Sequence, residues 1–461
     1  MYRKNAWESY DEAEAVKLED FAKAYRAFLD AGKTERECVT EAVRQAEAAG
    51  FESLETVLDA GRRLVPGDRV YCNVMGKSIM LFVIGTKPLS SGMNILGAHI
   101  DSPRIDVKQN PLFEDGGLAF LDTHYYGGVK KYQWVAMPLA MHGVVVKKDG
   151  EIINVVVGED ENDPVLYITD LLIHLAADQM SKPASKVIEG EMLDVFVGSQ
   201  PLKGAEKDAV KANLLAILKD RYGMEEEDFL SAELELVPAG KSRDAGLDRS
   251  MIAGYGHDDR VCAYPSMMAV LNYEGTPEST LCAVLTDKEE IGSVGATGMA
   301  AHYFENTIAE LVAACDHESE LIVRRCLKNS RMLSSDVSAG FDPHFASCFE
   351  KNNAALMGHG ICFNKFTGRG GKSGSNDANP EFMAQVRRIM DDNHVDFQTA
   401  ELGKVDVGGG GTIAYICAKY GMSVIDAGLA VLSMHAPWEM ISKADLWEEY
   451  KGYCAFLRDA K

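Results

Sequence analysis

The spacing of apolar positions changes along the chain and predicts two kinds of secondary structure. Between residues 9 and 62, apolar side chains recur at helical intervals among Glu, Lys and Arg, which predicts amphipathic helices, one of them over 35–49. From Val70 onward the chain shows short apolar runs bounded by Gly, Ser or Pro, such as 78–85 and 94–98. Runs of this kind are typical of buried strands in a sheet that is covered on both faces.

The middle of the chain differs from both ends. Residues 144–157 have the pattern of a β-hairpin that turns at Asp149-Gly150. The segment 106–240 holds 12 Lys+Arg and 24 Asp+Glu, so its net charge of 12 − 24 = −12 is about half of the −23 of the whole chain. After Gly254 strand-like runs return, at 281–285 and 308–315. The sequence therefore predicts one discontinuous domain that is interrupted by an inserted one.

Composition and charge exclude several classes of protein. The 461 residues are 46% hydrophobic and 25% charged, which is typical of a soluble globular chain. A net charge of −23 makes nucleic acid and anionic membranes unsuitable partners. The ten cysteines lie mostly singly in apolar runs, without a C-x-x-C motif. With no secretory signal and no apolar window of membrane-spanning length, we expect a cytoplasmic protein with reduced thiols.

Acidic residues and histidines cluster where the strand-like runs end. In an open α/β sheet, ligands gather at the carboxyl ends of the strands, so these segments can converge although they are far apart in the sequence. Imidazole and carboxylate groups together are ligands for divalent metal ions. The segments are Gly97–Pro103, Gly254–Arg260, Leu285–Gly292, Leu333–Gly340 and Ser433–Pro437.

Each motif is weak by itself, and only their combination favours a metal site. In a His-x-Asp motif such as His99 and Asp101, the imidazole can bind a metal while a carboxylate fixes its orientation. In the pair Glu289-Glu290, one carboxylate can bind metal while the other takes a proton from water. Taken singly, however, a Glu pair in an acidic chain is usually a solvated surface. A lone histidine near a strand end is usually a hydrogen-bonded core residue.

In order and character, these motifs resemble those of the aspartyl aminopeptidase-like metallopeptidases, specifically their bacterial branch. The related tetrahedral aminopeptidases share several of the motifs, but the N-terminal region and the acidic insertion favour the first family. The resemblance covers nearly the full length. It rests on Gly97–Pro103, Asp258–Arg260, Asp287–Gly292, Ser334–Asp336, Gly408–Thr412 and Ser433–His435.

The resemblance implies an α/β fold with a mixed-sheet, three-layer catalytic domain of the zinc aminopeptidase type. This domain would comprise residues 1–105 and 241–461, and residues 106–240 would form an inserted β-rich oligomerisation domain. The family assembles into closed homo-oligomers, tetrahedral dodecamers built from dimers. Its implied activity is hydrolysis of the N-terminal peptide bond of peptides, with two co-catalytic divalent ions, zinc or alternatively cobalt or manganese.

Carried over position by position, the resemblance also implies roles for individual residues. Glu289 would be the general base and Asp101 the residue that orients a metal-binding histidine. His174 would reach the active site of a neighbouring subunit, although an amphipathic helix that points this histidine at solvent is the alternative. The implied metal ligands are the bridging Asp258, with His99 and Asp336 at one ion and Glu290 and His435 at the other.

Two loops are candidates for contact with substrate. The segment 367–375 lacks the spacing of a phosphate-binding loop, because its first glycine would fall at Phe366. In the resembled family this segment lies by the substrate, so Lys372 or Arg369 could bind an acidic side chain; a solvated basic loop is the alternative. Gly409 and Gly410 lie in a loop that the family places at the active site, and a simple turn before a helix over 412–419 is the alternative.

Other functions stay open at this point. A carboxypeptidase or an amino-acid deacylase would use a similar pair of metal ions, and a non-catalytic assembly or cargo protein could have the same fold. The metal-binding pattern disfavours the last of these, because a carboxylate cluster without metal repels itself. A preference for acidic N-terminal residues is also open, since the sequence around Lys372 does not reproduce that of the eukaryotic members.

Overall fold

A computed structural model describes residues 4–316 and 318–461. Its internal contacts divide the chain into two compact units. The first unit contains the chain up to Asp101, then Ser242–Met434 and Glu439–Lys461; the second contains Ser102–Lys241 and His435–Trp438. The predicted domain 106–240 stays a prediction, because contacts alone do not show that this segment folds independently.

Helices occupy both units. The described residues form these α-helices: α1 (Glu12–Ala31), α2 (Glu35–Ala48), α3 (Leu54–Asp59), α4 (Ala177–Met180), α5 (Ala209–Tyr222), α6 (His257–Leu271), α7 (Tyr303–Cys315), α8 (Glu320–Asn329), α9 (Pro380–Asp392), α10 (Ala414–Ala418) and α11 (Lys443–Asp459). In this part of the chain no helix is long and apolar enough to cross a lipid bilayer.

The strands form three sheets. In chain order they are β1 (Glu52–Ser53), β2 (Arg69–Val74), β3 (Ser78–Val83), β4 (Met93–His99), β5 (Arg104–Asp115), β6 (Leu118–Tyr126), β7 (Pro138–Val146), β8 (Ile152–Val157), β9 (Leu166–Tyr167), β10 (Val195–Gly198), β11 (Ala232–Pro238), β12 (Arg243–Ala245), β13 (Met251–Gly254), β14 (Thr280–Thr286), β15 (Arg331–Ser334), β16 (Ser338–Ala339), β17 (Ile361–Asn364), β18 (Phe397–Thr399), β19 (Ser423–Gly428), β20 (Ala430–Leu432) and β21 (Glu439–Ser442).

A nine-stranded mixed sheet is the centre of the first unit. Its order is β1-β2-β3-β14-β4-β15-β19-β17-β18, and β4 pairs in parallel with both β14 and β15. Side chains of β4 alternate between two apolar cores: Met93 and Ile95 pack with α3, α7, α8 and α10, whereas Leu96 and Ala98 pack with α1, α2, α6, α9 and α11. The predicted three-layer α/β fold is therefore confirmed. A smaller sheet, β12-β13-β21-β20-β16, completes this unit.

Most of the predicted elements are present, and one is wrong. The runs 78–85 and 94–98 correspond to β3 and β4. The run 308–315, predicted as strand-like, is the second half of helix α7. Its buried residues Phe304, Ile308 and Leu311 follow the i, i+4, i+7 spacing of a helix that packs one face on the core. The helix predicted over 412–419 is the shorter α10.

The second unit is built on a closed ring of strands. Its sheet order is β11-β5-β6-β10-β9-β7-β8, and β11 also pairs with β7, so that six strands form a small barrel and β8 extends it. The predicted hairpin is confirmed: β7 and β8 pair with Val146 opposite Ile152, and Gly150 adopts a φ of 90° in the turn. Helix α5 packs against β10 at Gly198, where an added Cβ would lie 2.6 Å from Leu214.

Candidate metal centre

The candidate site lies at the carboxyl ends of three neighbouring parallel strands in the first unit. His99 is the last residue of β4, Glu289 begins a short 3-10 turn after β14, and Asp336 follows β15. Asp258 and Asp259 lie in the first turn of α6. Parallel strands end at the same edge of a sheet, which explains how residues so distant in sequence come together.

Six side chains of this edge form three overlapping groups. Within each group the ligand atoms lie within 4.8 Å of one another, a spacing that one or two metal ions can bridge. His99 and Asp336 belong to two groups each, and so does Asp258. The groups are His99 with Glu289 and Asp336, His99 with Asp258 and Glu290, and Asp258 with Asp259 and Asp336.

Hydrogen bonds fix the orientation of His99. Its Nε2 lies 3.1 Å from Asp258 Oδ1, and its Nδ1 lies 2.9 Å from the backbone oxygen of Asp101 and 3.3 Å from Oδ1 of the same residue. When Nδ1 donates to Asp101, Nε2 is left as the nitrogen that can bind a metal. The backbone N–H of His99 donates to Asp259 Oδ2 at 3.2 Å.

Asp101 also holds the two glutamates. Its carboxylate accepts hydrogen bonds from the backbone N–H of Glu289 at 3.1 Å and of Glu290 at 3.2 Å. One buried carboxylate thus contacts the histidine and the turn that carries both glutamates, so it fixes their relative positions.

The electrostatics of the site favour a bound cation. Burial raises the pKa of Asp259 and of Asp336 well above the usual range, and the charges of Asp259 and Glu289 add to the shift of Asp336. Burial alone lowers the pKa of His99, but hydrogen bonds to Asp101 and Asp258 outweigh it and raise that pKa well above its ordinary value. An imidazole among several buried carboxylates is a donor set that suits Zn²⁺, whose positive charge offsets their repulsion.

Several supporting residues were assigned no role in the sequence analysis. Asp287 is fully buried next to the Glu289 turn, where its carboxylate accepts from Thr297 Oγ1 at 2.5 Å and pairs with Lys288 Nζ at 2.8 Å. Glu439 accepts the backbone N–H of Asp258 at 3.0 Å. The Asp-Asp pair at 258–259 indicates in the sequence that Asp259 could belong to the site. Nothing in the sequence around Glu439 indicates its role.

Two predicted site residues belong to the second unit. His435 is half-buried there, with Nδ1 3.0 Å from the backbone oxygen of Gly128, and it is absent from the metal-spaced groups found among the described residues. His174 is exposed in a 3-10 turn, Ile173–Leu175. Their predicted roles stay predictions. Of the histidines without a predicted role, His317 lies outside the described residues.

The two candidate substrate loops contact each other. An added Cβ at Gly409, whose φ is 114°, would lie 1.9 Å from the backbone oxygen of Gly368, so this position requires glycine. The backbone oxygen of Gly410 accepts from the N–H of Gly368 at 2.7 Å. Lys372 Nζ lies 3.1 Å from Asp377 and 3.8 Å from the centre of the Phe366 ring. The Lys372 side chain is therefore held by an exposed ion pair.

The fold and this site together define a metal-dependent hydrolase of the α/β class. Residues 28–457 match the family model described as Aminopeptidase I zinc metalloprotease (M18). A curated relative, a probable M18 family aminopeptidase 1 from Clostridium acetobutylicum, is 57% identical over 457 residues, which is 99% of this chain and 98% of that one. The chain belongs to the M18 family of zinc metalloproteases, and it is a hydrolase of the aminopeptidase type.

Solved structures agree with this assignment. Aminopeptidase I from Clostridium acetobutylicum has a TM-score of 0.93 at 56% identity, with 99% of each chain covered. The M18 aminopeptidase from Thermotoga maritima has a TM-score of 0.94 at 42% identity, with 100% of each chain covered. A structure described as the S. cerevisiae mApe1 dodecamer has a TM-score of 0.77 at 20% identity, over 95% of this chain and 97% of that one, and shows a shared fold alone.

Proposed function

We propose that the enzyme uses two divalent ions, zinc in the first instance, to hydrolyse the N-terminal peptide bond of peptides. The overlap of the groups supports this proposal, because Asp258 lies in one group with His99 and Glu290 and in another with Asp336, as expected of a carboxylate shared by two neighbouring ions. In the proposed assignment Asp258 would be shared by the two ions. His99 and Asp336 would hold one ion, and Glu290 and His435 would hold the other.

Zinc would polarise the scissile carbonyl and lower the pKa of the attacking water. Glu289 is the proposed general base: it takes the proton of that water and delivers it to the leaving amine. Its backbone N–H is anchored on Asp101, while its carboxylate reaches the group formed with His99 and Asp336. Asp101 has the positioning role, since it contacts both His99 and the glutamate turn.

Two variants test these roles. Glu289→Gln should keep its zinc and lose a factor of about 10²–10⁴ in kcat, whereas Asp258→Ala should lose zinc as well. The zinc content is measured by elemental analysis, and kcat is measured with aminoacyl substrates. Glu55→Gln, on the exposed surface of α3, is the matched control. A zinc-free Glu289→Gln protein or one with normal kcat would show that the roles are misassigned.

We propose that Lys372 gives the enzyme a preference for substrates with an acidic N-terminal residue. Exposed ion pairs contribute only about 0–1 kcal/mol, so a substrate carboxylate can replace Asp377 as the partner of this lysine. Lys372→Met should then lower the ratio of kcat/KM for Asp over Leu substrates. Lys365→Met is the control, because Lys365 Nζ also lies 3.1 Å from Asp377. An equal effect of both variants would exclude a specific role of Lys372.

We also propose that the enzyme is a homo-oligomer, with the second unit at an interface and His174 acting in a neighbouring active site. The second unit exposes consecutive apolar side chains around this histidine, Leu171, Leu172, Ile173 and Leu175, each 50% or more exposed. Exposed apolar patches of this kind mark interaction sites. The dodecamer described for mApe1 is the model for the assembly.

Light scattering of Ile173→Asp and His174→Ala separates assembly from chemistry. The first variant should give smaller particles, and the second should retain the assembly but lose activity. A fully active monomer of 50.3 kDa would contradict both parts of the proposal.

A further inference from the structure

The barrel of the second unit contains an apolar cavity of about 190 Å³. Helix α5 covers the cavity, and all six strands of the ring contribute lining residues. Fourteen of its sixteen lining residues are apolar, among them Leu112, Leu121 and Leu234. This cavity is formed within one compact unit and includes none of the residues assigned to the metal centre.

Two polar side chains line the same cavity at the end of α5. The Tyr222 hydroxyl is buried and, among the described residues, makes no well-formed hydrogen bond; burial raises its pKa, and the neighbouring Arg221 guanidinium lies close enough to oppose that rise. Arg221 is the only charged residue in the described lining; its side chain is 46% exposed, and its nearest acidic partner is Asp163 at 3.5 Å. Ile217 is 48% exposed, so the cavity meets solvent on this side.

This combination points to the chemistry of a ligand. Buried hydroxyl groups normally have a partner, and leaving one without a partner is costly. A tyrosine O–H and a guanidinium both donate hydrogen bonds, and a carboxylate accepts from both. Barrel mouths lined by apolar side chains with a few polar groups are typical small-molecule sites.

We propose that this cavity binds a small organic acid, an aryl or alkyl carboxylate whose apolar part fills the barrel mouth while its carboxylate accepts from Arg221 and Tyr222. The volume of the cavity limits the size of the ligand. An apolar cavity of about 150 Å³ holds benzene, so 190 Å³ suits a phenyl ring or a short alkyl chain of about six to nine carbons. The ligand replaces the weak contact of Arg221 with Asp163.

The test measures binding of 3-phenylpropanoate to the zinc-loaded full chain by calorimetry and by ligand-observed NMR. The neutral analogue 3-phenylpropan-1-ol has the same ring without the charge. We expect the acid to bind at least tenfold more tightly than the alcohol. Arg221→Gln should remove that difference, and Tyr222→Phe should weaken binding of the acid about threefold to tenfold.

A filling variant tests the cavity itself. Ile217→Trp places an indole over the cavity and should abolish binding of both compounds, while Leu202→Trp, at an exposed apolar position outside the lining, should not. Hydrolysis of peptides should be unchanged in all four variants, so binding is scored independently of the active site. Absence of binding at millimolar acid, or unchanged binding in Ile217→Trp, overturns the proposal. Equal affinity for acid and alcohol overturns the assignment of a carboxylate ligand.

Discussion

Asp101→Asn is the most informative change at the metal centre, because this carboxylate has two separable contacts. It accepts backbone N–H groups of Glu289 and Glu290, and it lies 3.3 Å from His99 Nδ1. The variant keeps one oxygen, but its new NH₂ group must face a backbone N–H. His99 itself keeps an acceptor, the backbone oxygen of Asp101 at 2.9 Å, which the substitution does not remove.

The size of the effect follows from these contacts. A hydrogen bond to a charged group contributes about 1.5–3 kcal/mol, so losing one and weakening the other costs about 3 kcal/mol. If that cost appears as displacement of the Glu289 turn, kcat/KM falls about a hundredfold. Zinc content should change little, because the orientation of His99 is retained through the backbone oxygen.

The assay is kcat/KM on an aminoacyl substrate, with zinc determined on the same samples. Asp59→Asn, at the exposed end of α3, controls for the loss of one acidic charge. The reasoning is refuted if zinc is lost while kcat per zinc ion is normal. That outcome would mean that the carboxylate acts on His99 rather than on the glutamate turn.

Three further outcomes are expected. Burial raises the pKa of Asp426 from 3.8 to about 7, so the folded protein binds a proton at this carboxyl more tightly than the unfolded chain does. The stability that this proton contributes is complete below pH 4 and is lost as the pH rises through 7. Asp426→Asn should therefore gain stability relative to wild type from pH 5 to 8, by up to about 4 kcal/mol in denaturant unfolding; a pH-independent difference contradicts this. Zinc binding should release protons, because the raised pKa of Asp336 favours its protonated form in the absence of metal; calorimetric heats that do not depend on the buffer contradict this. Asp287→Ala should lower kcat at least tenfold with zinc retained, because the Glu289 turn loses its support; normal kcat would contradict that role.

The sequence was sufficient to predict the elements whose pattern is local. Strands β3 and β4 contain short apolar runs bounded by turn residues, and the β7–β8 hairpin has an Asp-Gly turn. The prediction of a strand over 308–315 was wrong because a short, mostly apolar stretch is compatible both with a buried strand and with the buried face of a helix. The residues that distinguish the helix from a strand are 303–306, because α7 begins there, one turn before the apolar run.

The candidate site shows the same limit. The motifs around His99, Asp258 and Glu289 were recognisable because each lies at the end of a predicted element. The supporting roles of Asp287, Thr297 and Glu439 were not, because they depend on which neighbours the folded chain brings to these residues. A buried carboxylate that supports a turn looks in sequence like any acidic residue, and only the contacts distinguish it.

The strand order of the central sheet also has a consequence during synthesis. Strand β4 pairs with β14 and β15, yet β14 begins at Thr280, about 180 residues after β4 ends at His99. At ribosomal rates of about 5–20 residues per second, β14, the first partner of β4, is synthesised roughly 10–40 s after β4. The ring strands, all drawn from Arg104–Pro238, can pair among themselves in that interval. Until Thr280 has been synthesised, the nascent chain thus carries a strand with Met93, Ile95, Leu96 and Ala98 unpaired, which makes this stage the one at which chaperones would matter most.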